Sequence, residues 1–103
     1  MEGGKTSRTK IVADELLNYL LYKYSQGEVI VSLPEVEDHI FRKYRNLFGN
    51  KRIVATYMSR VVRHLQRYGV LSVFREVGEQ GYKVSLTLYY LQNSMYNPRR
   101  WSQ

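Results

Sequence analysis

The 103-residue chain contains no cysteine, only two prolines and no apolar run near the roughly 20 residues that span a bilayer. The missing cysteine excludes disulfide frameworks, thiol nucleophiles and cysteine-ligated metals. The polar, glycine-containing start of the chain lacks the apolar segment of a signal peptide. Hydrophobic residues make up 44% and charged residues 24%, which are ordinary globular proportions. We expect one small cytoplasmic domain that does not enter a membrane.

Acidic residues are missing from a long central stretch. No Asp or Glu occurs between Asp38 and Glu76, and nine basic residues lie there: Arg42, Lys43, Arg45, Lys51, Arg52, Arg60, Arg63, Arg67 and Arg75. The whole chain has a net charge of +7, so the remainder is slightly acidic. Such asymmetry indicates a polyanionic partner and favours nucleic acid over a membrane surface. A solvated basic face that only aids solubility is the alternative.

The spacing of apolar residues predicts an α+β domain that begins with a helix and a short strand. Residues 7–26 are expected to form an amphipathic helix, because apolar side chains recur there at three- and four-residue steps: Val12, Leu16, Tyr19, Leu20 and Tyr24. Gly27 supplies a stop for this helix. The β-branched run 29–31 predicts a small strand.

Two more helices are predicted next. Ser32 with Glu35 forms a predicted capping box, and Pro34 suits the first turn of a helix that ends near Gly49. The inward side chains of that helix are expected to be Val36, Ile40, Tyr44 and Leu47. Asn50 is predicted to cap a third helix over residues 50–68.

Beyond Gly69 the apolar period changes from 3.6 to 2. This change predicts strands over residues 70–77 and 82–90, joined by a turn at residues 78–81. We expect residues 1–6 to be flexible. The tail, residues 91–103, is expected to begin with a short helix and is a candidate dimer contact, because it carries exposed-type aromatics and a methionine.

The 50–68 helix separates into two faces. One is apolar and predicted to be core: Val54, Met58, Val61, Val62, Leu65 and Tyr68. The other is basic and hydroxylated: Arg52, Thr56, Ser59, Arg60, Arg63, Gln66 and Arg67. A helix fits the major groove of B-DNA, where arginine pairs with guanine or phosphate and hydroxyls donate to either. An ordinary solvated face mixes Glu with Lys, and that mixture is absent here.

The run Met58-Ser-Arg-Val-Val-Arg-His-Leu-Gln-Arg-Tyr-Gly-Val-Leu71 resembles the end of a winged-helix recognition helix and its junction with the first wing strand. The order of predicted elements resembles that family over about residues 8–90. The resemblance implies a winged helix-turn-helix domain, residues 7–90, whose hairpin is the wing.

The resemblance also implies which residues bind double-stranded DNA. Ser59, Arg60 and Arg63 would meet base edges or phosphates, with Arg52 and Thr56 nearer the deep end of the groove. Further candidate contacts lie on the same helix, at the end of the preceding helix and on the wing: Lys51, Arg67, Arg42, Lys43, Arg45, Arg75 and Lys83. The wing tip contains Glu76 and Glu79, where many wings are basic, and this favours binding dominated by the helix.

We therefore expect a sequence-specific transcription regulator, similar to small regulators of archaea and their viruses and located in the cytoplasm, nucleoid-associated or in a viral host's cytoplasm. A homodimer is expected through the first and last helices, because Leu17 and Leu21 lie off the predicted core stripe. The alternatives are a non-specific replication or chromatin factor and a winged-helix subunit that binds RNA or protein. No catalytic residue, metal, cofactor or small-molecule site is expected, since His39 and His64 have no cysteine partner.

Overall fold

The structure, a computed structural model, describes residues 7–75, 78 and 81–93. The predicted flexible start at residues 1–6, the wing-tip acids Glu76 and Glu79, and residues 94–103 of the tail lie outside this part. The elements follow in the order α1 (Arg8–Ser25), β1 (Val31–Ser32), α2 (Leu33–Lys43), α3 (Arg45–Phe48), α4 (Lys51–Arg67), β2 (Leu71–Phe74), β3 (Lys83–Leu86) and α5 (Leu88–Asn93). The predicted α+β class is confirmed. None of the described helices is long and apolar enough to cross a membrane.

The three strands form one antiparallel sheet in the order β1-β3-β2. Val84 in the central strand pairs with Val31 of β1 and with Val73 of β2. The short strand between the first two helices thus joins the hairpin that follows α4. Because side chains alternate across a strand, Val84 and Leu86 point together into the core.

One hydrophobic core lies between α1, α2, α4 and the sheet, with Phe48 of α3 at its edge. Its buried side chains are Val12, Leu16, Leu20, Leu21, Val31, Leu33, Val36, Ile40, Phe48, Val54, Met58, Val61, Val62, Leu71, Val84 and Leu86. The core fixes the rotation of α4, because the apolar side of that helix is buried and its other side faces solvent.

Helix α1 begins at a side-chain cap, where Ser7 Oγ accepts from the Lys10 amide at 3.0 Å. The prediction for its C-terminal half is partly wrong. Leu21 is buried, because α1 packs on α4, α2 and β3 and is covered on more than one side. Tyr24, predicted to be core, is 39% exposed in the last turn, where the chain turns away through Gly27 with φ +88°.

The start of α2 is confirmed, but its predicted capping box is wrong. Ser32 makes no side-chain cap, and its backbone belongs to β1. Glu35 accepts from the Tyr19 hydroxyl and pairs with Lys23 at 3.2 Å, so its carboxylate is held by α1. The predicted strand at residues 29–31 is also shifted, because pairing with β3 begins only at Val31.

The single helix predicted up to Gly49 is divided at Tyr44. The backbone there has φ −124° and ψ 41°, outside the helical region. The Tyr44 hydroxyl donates to Glu15 of α1 at 2.7 Å, which holds the side chain at the break. Gly49 then ends α3 with φ +80°, a conformation that favours glycine.

Helix α4 follows the prediction except at its C-terminal end. Asn50 Oδ1 accepts from the Ile53 amide at 3.1 Å, so the predicted cap is confirmed. Leu65 is half-buried. Tyr68, predicted to be core, is 64% exposed, because it follows the last helical residue and its ring packs on His64 instead, with centroids 4.7 Å apart.

The second predicted strand ends four residues earlier than expected, at Leu86. Thr87 starts α5: its hydroxyl donates to the Gly69 carbonyl and accepts from the Tyr90 amide at 3.0 Å. Residues 88–90 are therefore helical, and Leu88 is exposed instead of alternating inward. Of the predicted first hairpin strand, residues 76 and 77 lie outside the described part, and pairing with β3 covers Leu71–Phe74 without Val70 or Arg75.

The cap at Asn50 gives a direct test of how α4 is anchored. Asn50→Ala removes the acceptor for the Ile53 amide and is expected to lower the free energy of unfolding by about 1 kcal/mol. Asn50→Asp keeps an acceptor at the same place and is expected to stay within a few tenths of a kcal/mol of the parent. Urea unfolding measures both, and equal stability of the Ala variant and the parent would contradict the cap.

Candidate nucleic-acid interface

Helix α4 presents a cationic face to solvent. Its exposed polar side chains are Lys51, Arg52, Thr56, Ser59, Arg60, Arg63, His64, Gln66 and Arg67, and the helix contains no acidic residue. The positive end of the helix dipole lies at Lys51 and Arg52, which adds to the positive potential there. Anions are therefore attracted to the whole exposed side, most strongly toward its N-terminal turns.

Among the described residues, the arginines differ from the lysines in their ion pairing. In the part of the chain that the structure describes, every carboxylate ion pair uses a lysine or a histidine, and none uses an arginine. Arg60 lies over the Tyr57 ring, with 5.8 Å between its guanidinium carbon and the ring centroid. Arg52 and Arg63 have neither a carboxylate nor a ring partner among the described residues. The N–H donors of their guanidinium groups are therefore available to an external anion.

Lys51 differs from these arginines. Its Nζ lies 2.6 Å from Asp38 Oδ1, and both side chains are about half exposed. An ion pair exposed to water is weak, so Lys51 can leave Asp38 and pair with another anion. Part of its positive charge is nevertheless already compensated by Asp38 of α2.

The two hydroxyls on the α4 face bond to their own helix. Thr56 Oγ1 donates to the Arg52 carbonyl at 3.1 Å, and Ser59 Oγ donates to the Ala55 carbonyl at 3.2 Å. A hydroxyl has one proton, so in this rotamer each oxygen is only an acceptor toward solvent. The arginines are consequently the main donors on this face.

The three basic residues that were predicted for the end of the second helix have different surroundings. Arg42 is exposed and has no carboxylate partner among the described residues. The Arg45 guanidinium lies over the Phe41 ring at 5.6 Å. Lys43 is turned toward α1, where its Nζ donates to Glu15 at 3.0 Å. Of the three predicted phosphate contacts, Lys43 thus has a structural partner already.

Glu15 is the buried acid that receives Lys43. Burial raises the pKa of Glu15, but the hydrogen bonds from Tyr44 and Lys43 and the nearby positive charge outweigh burial, so its pKa lies below the ordinary 4.5. The same bond raises the pKa of Tyr44 to about 12. His39 Nε2 lies 3.6 Å from the other Glu15 oxygen. This network joins α1 to the end of α2 and so fixes where Arg42 projects.

A groove of about 510 Å³ separates α4 from the hairpin. Ser59, Arg63 and Gln66 form its α4 side, Gly81 and Tyr82 its hairpin side, and the first turn of α2 one end. Gly81 has φ +80°, and an added Cβ there would come within 3.1 Å of Pro34, so hairpin and α2 approach closely.

The two predicted DNA contacts of the hairpin, Arg75 and Lys83, lie in different places. The Arg75 guanidinium lies over the Tyr82 ring, 5.7 Å from its centroid, and so stands beside the groove. Lys83 is half-buried in the central strand, opposite Ser32 and Phe74 in the register.

Sequence reasoning missed one side chain at this site. Glu37 is half-buried and lines the groove on the side of α2. A signal was available, since Glu37 lies four residues after the buried Leu33 and four before the half-buried Phe41. Helical spacing therefore places this acid at the border of the apolar stripe.

Within the described residues, no three His, Asp or Glu side chains group so as to hold a metal ion. No family model, curated protein or solved structure matches this chain.

The Glu15 network predicts a pH dependence of stability. Because the folded pKa of Glu15 is lowered, its contribution is fully present above its unfolded pKa and is lost as the pH falls through the folded value. Glu15→Gln is expected to lower the free energy of unfolding by about 2 kcal/mol at pH 7. The difference from the parent should shrink as the pH falls below 4.5.

Urea unfolding between pH 7 and pH 3 measures this difference. Asp14→Asn is the control, because Asp14 is an exposed partner of Lys10 on the same helix, and its effect should be much smaller. A Glu15→Gln effect that does not change with pH would contradict the ionised network.

Proposed function

We propose that this protein is a winged-helix regulator of transcription that binds double-stranded DNA at specific sequences, with α4 in the major groove and the β2–β3 hairpin as the wing. No match to a known protein supports the proposal, so it stands on the site itself and on the resemblance in the sequence.

The observation that carries the proposal is the set of arginines without carboxylate partners. A surface whose charges serve only solubility mixes cations with acids, and four lysines follow that pattern, since Lys10, Lys23, Lys43 and Lys51 pair with carboxylates. The arginines on α4 keep free the donor geometry that matches guanine edges and phosphate oxygens. With no acid on α4, a polyanion meets no repulsion from that helix.

The order of elements gives a second, independent support. A helix, a short strand, two helices and a hairpin follow one another as in the winged-helix family, and β1 joins the hairpin in one sheet. The extra turn α3 and the break at Tyr44 lie in the connection before α4. In this arrangement α4 contacts the base edges of the DNA. Arg75, which lies beside the groove, is the hairpin residue best placed to contact the DNA phosphate backbone.

A homodimer is part of the proposal. Three large side chains near the end of α4 are more than 60% exposed: Tyr68, and Leu88 and Tyr89 of α5. The Tyr89 ring lies beside Gly69, with Cδ2 3.6 Å from the position that a Cβ on that glycine would take. Exposed apolar side chains of this kind are typical of protein–protein contacts, so we place the dimer contact at this end of α4. Two copies related by a two-fold axis would place two α4 helices about one DNA turn apart.

Selection from a random duplex library tests the proposal. The enriched and a random duplex are then titrated at two salt concentrations, because phosphate contacts make affinity depend on salt. We expect an enriched palindrome that is preferred by about a thousandfold or more. A motif without a two-fold axis would contradict the dimer.

Two other results would overturn the proposal. Salt-dependent binding without enrichment would indicate a non-specific replication or chromatin factor. No binding to either duplex, together with binding to structured RNA or an acidic protein, would indicate an interaction subunit.

Two arginine variants separate base contacts from phosphate contacts. Arg63→Ala on α4 is expected to weaken binding to the selected duplex by about 1–3 kcal/mol, with less effect on the random one. Arg42→Ala at the end of α2 is expected to weaken both about equally and to lower the salt slope by about one. Fluorescence anisotropy measures both effects.

Lys10→Ala is the control for lost charge, since Lys10 lies on α1 and pairs with Asp14 at 2.8 Å. It should change neither affinity appreciably. If Arg63→Ala and Arg42→Ala had the same effect on both duplexes, α4 would not be the reader.

A further inference from the structure

An acidic side chain lies beside the cationic face of α4. Glu37 lines the groove between α4 and the hairpin, together with Ser59 and Arg63. The rest of the groove that surrounds it is largely apolar: Leu33, Pro34, Met58, Val62 and Val73. An acid next to arginines that are expected to bind a polyanion needs an explanation, because it repels phosphate.

Glu37 is not there to neutralise those arginines. Within the described part of the chain it forms no hydrogen bond and no ion pair, and the nearby Lys51 pairs with Asp38 instead. Burial raises the pKa of Glu37, the charge of Asp38 adds to this effect, and the charge of Lys51 only partly opposes it. The carboxylate is partly stripped of water and is compensated only in part, by the charge of Lys51, which costs stability. Groups with a pKa shifted by burial cluster at functional sites.

The partner that suits Glu37 is a hydrogen-bond donor carried by the same polyanion. The carboxylate cannot accept from a phosphate, and Arg63, which lines the same groove, repels a free cation. DNA bases combine both needs, because exocyclic amino groups in the major groove are donors attached to a negatively charged backbone.

We propose that Glu37 is a specificity-determining residue, whose carboxylate accepts a hydrogen bond from the N4 amino group of a cytosine next to the bases that Ser59 and Arg63 face. This inference rests on the proposed function and adds a base preference to it. It gives α2, in addition to α4, a direct part in the choice of DNA sequence.

Cytosine suits the carboxylate better than the other bases do. On cytosine itself the amino donor stands beside the C5–H group, whereas on adenine it stands beside N7, an acceptor that repels a carboxylate. Guanine and thymine present acceptors there, so they offer Glu37 no partner. The preference at one position of the site should therefore follow the hydrogen-bonding character of residue 37.

Parallel selections with the parent and three variants test this inference. Glu37→Gln keeps the shape but adds a donor, and glutamine pairs with adenine through N6 and N7. Glu37→Ala removes the acceptor altogether. Glu28→Gln is the matched control, because it makes the same chemical change in the loop after α1, where Glu28 pairs with Lys23 at 2.8 Å. Thermal unfolding checks that all four proteins are folded.

We expect the parent motif to contain a cytosine whose replacement lowers affinity about tenfold. Glu37→Gln should shift that one position toward adenine, and Glu37→Ala should leave it without preference. Both Glu37 variants should bind random duplex more tightly than the parent, because a repulsive charge is gone, whereas Glu28→Gln should keep the parent motif.

Two results would overturn the inference, and they are distinguishable. A parent motif that both Glu37 variants retain unchanged would remove Glu37 from sequence choice and leave the proposed function intact. A parent protein that enriches no motif would overturn the proposed function and this inference together. Because every guanine of a duplex is paired with a cytosine, the test rests on the shift in base preference between parent and variant, and either Glu37 variant that folds is enough to measure it.

Discussion

The burial of one side of α4 is the constraint on which the rest of the structure depends. Val54, Met58, Val61 and Val62 all lie in the core, against α1, α2 and the sheet. A helix held on one side by close-packed side chains cannot rotate without exposing them, and each exposed side chain of this size costs about 1.5–3 kcal/mol. The same contacts that stabilise the domain therefore decide that Arg52 and Arg63 face outward. A substitution in the buried side of α4 would therefore affect both the stability of the domain and the orientation of the candidate interface.

The charges are arranged in two systems with different tasks. Lysines and acids form ion pairs between elements, and the pairs of Glu15 with Lys43 and of Glu35 with Lys23 join α2 to α1. The described arginines stand outside this system. Four lie on α4, and the others are Arg8 on α1, Arg42 at the end of α2, Arg45 at the start of α3 and Arg75 beside the hairpin. Glu37 belongs to neither system, because among the described residues it forms no ion pair and the charge of Lys51 compensates it only in part. Its position makes the groove the place where affinity and sequence preference are expected to compete.

Local signals predicted the elements, and tertiary contacts decided what local signals could not. The Asn50 cap and the buried face of α4 depend on residues close in sequence, so they could be predicted. The break at Tyr44 depends on Glu15, which is 29 residues away, and the early end of β3 depends on the bond from Thr87 to Gly69. At the site, the exposed basic face was visible from helical spacing. The division between free arginines and engaged lysines was not, because it is set by which acids lie opposite them in space.

Backbone amide chemical shifts of the isotope-labelled protein, followed during titration with duplex DNA, would show directly which surface binds. We expect the largest changes on the exposed side of α4, from Lys51 to Arg67, with further changes at Tyr82 beside the groove and at Arg42. Changes confined to α1 or to the exposed residues of α5, or no change at all at a salt concentration that permits binding, would contradict the claim that the cationic face of α4 is the site.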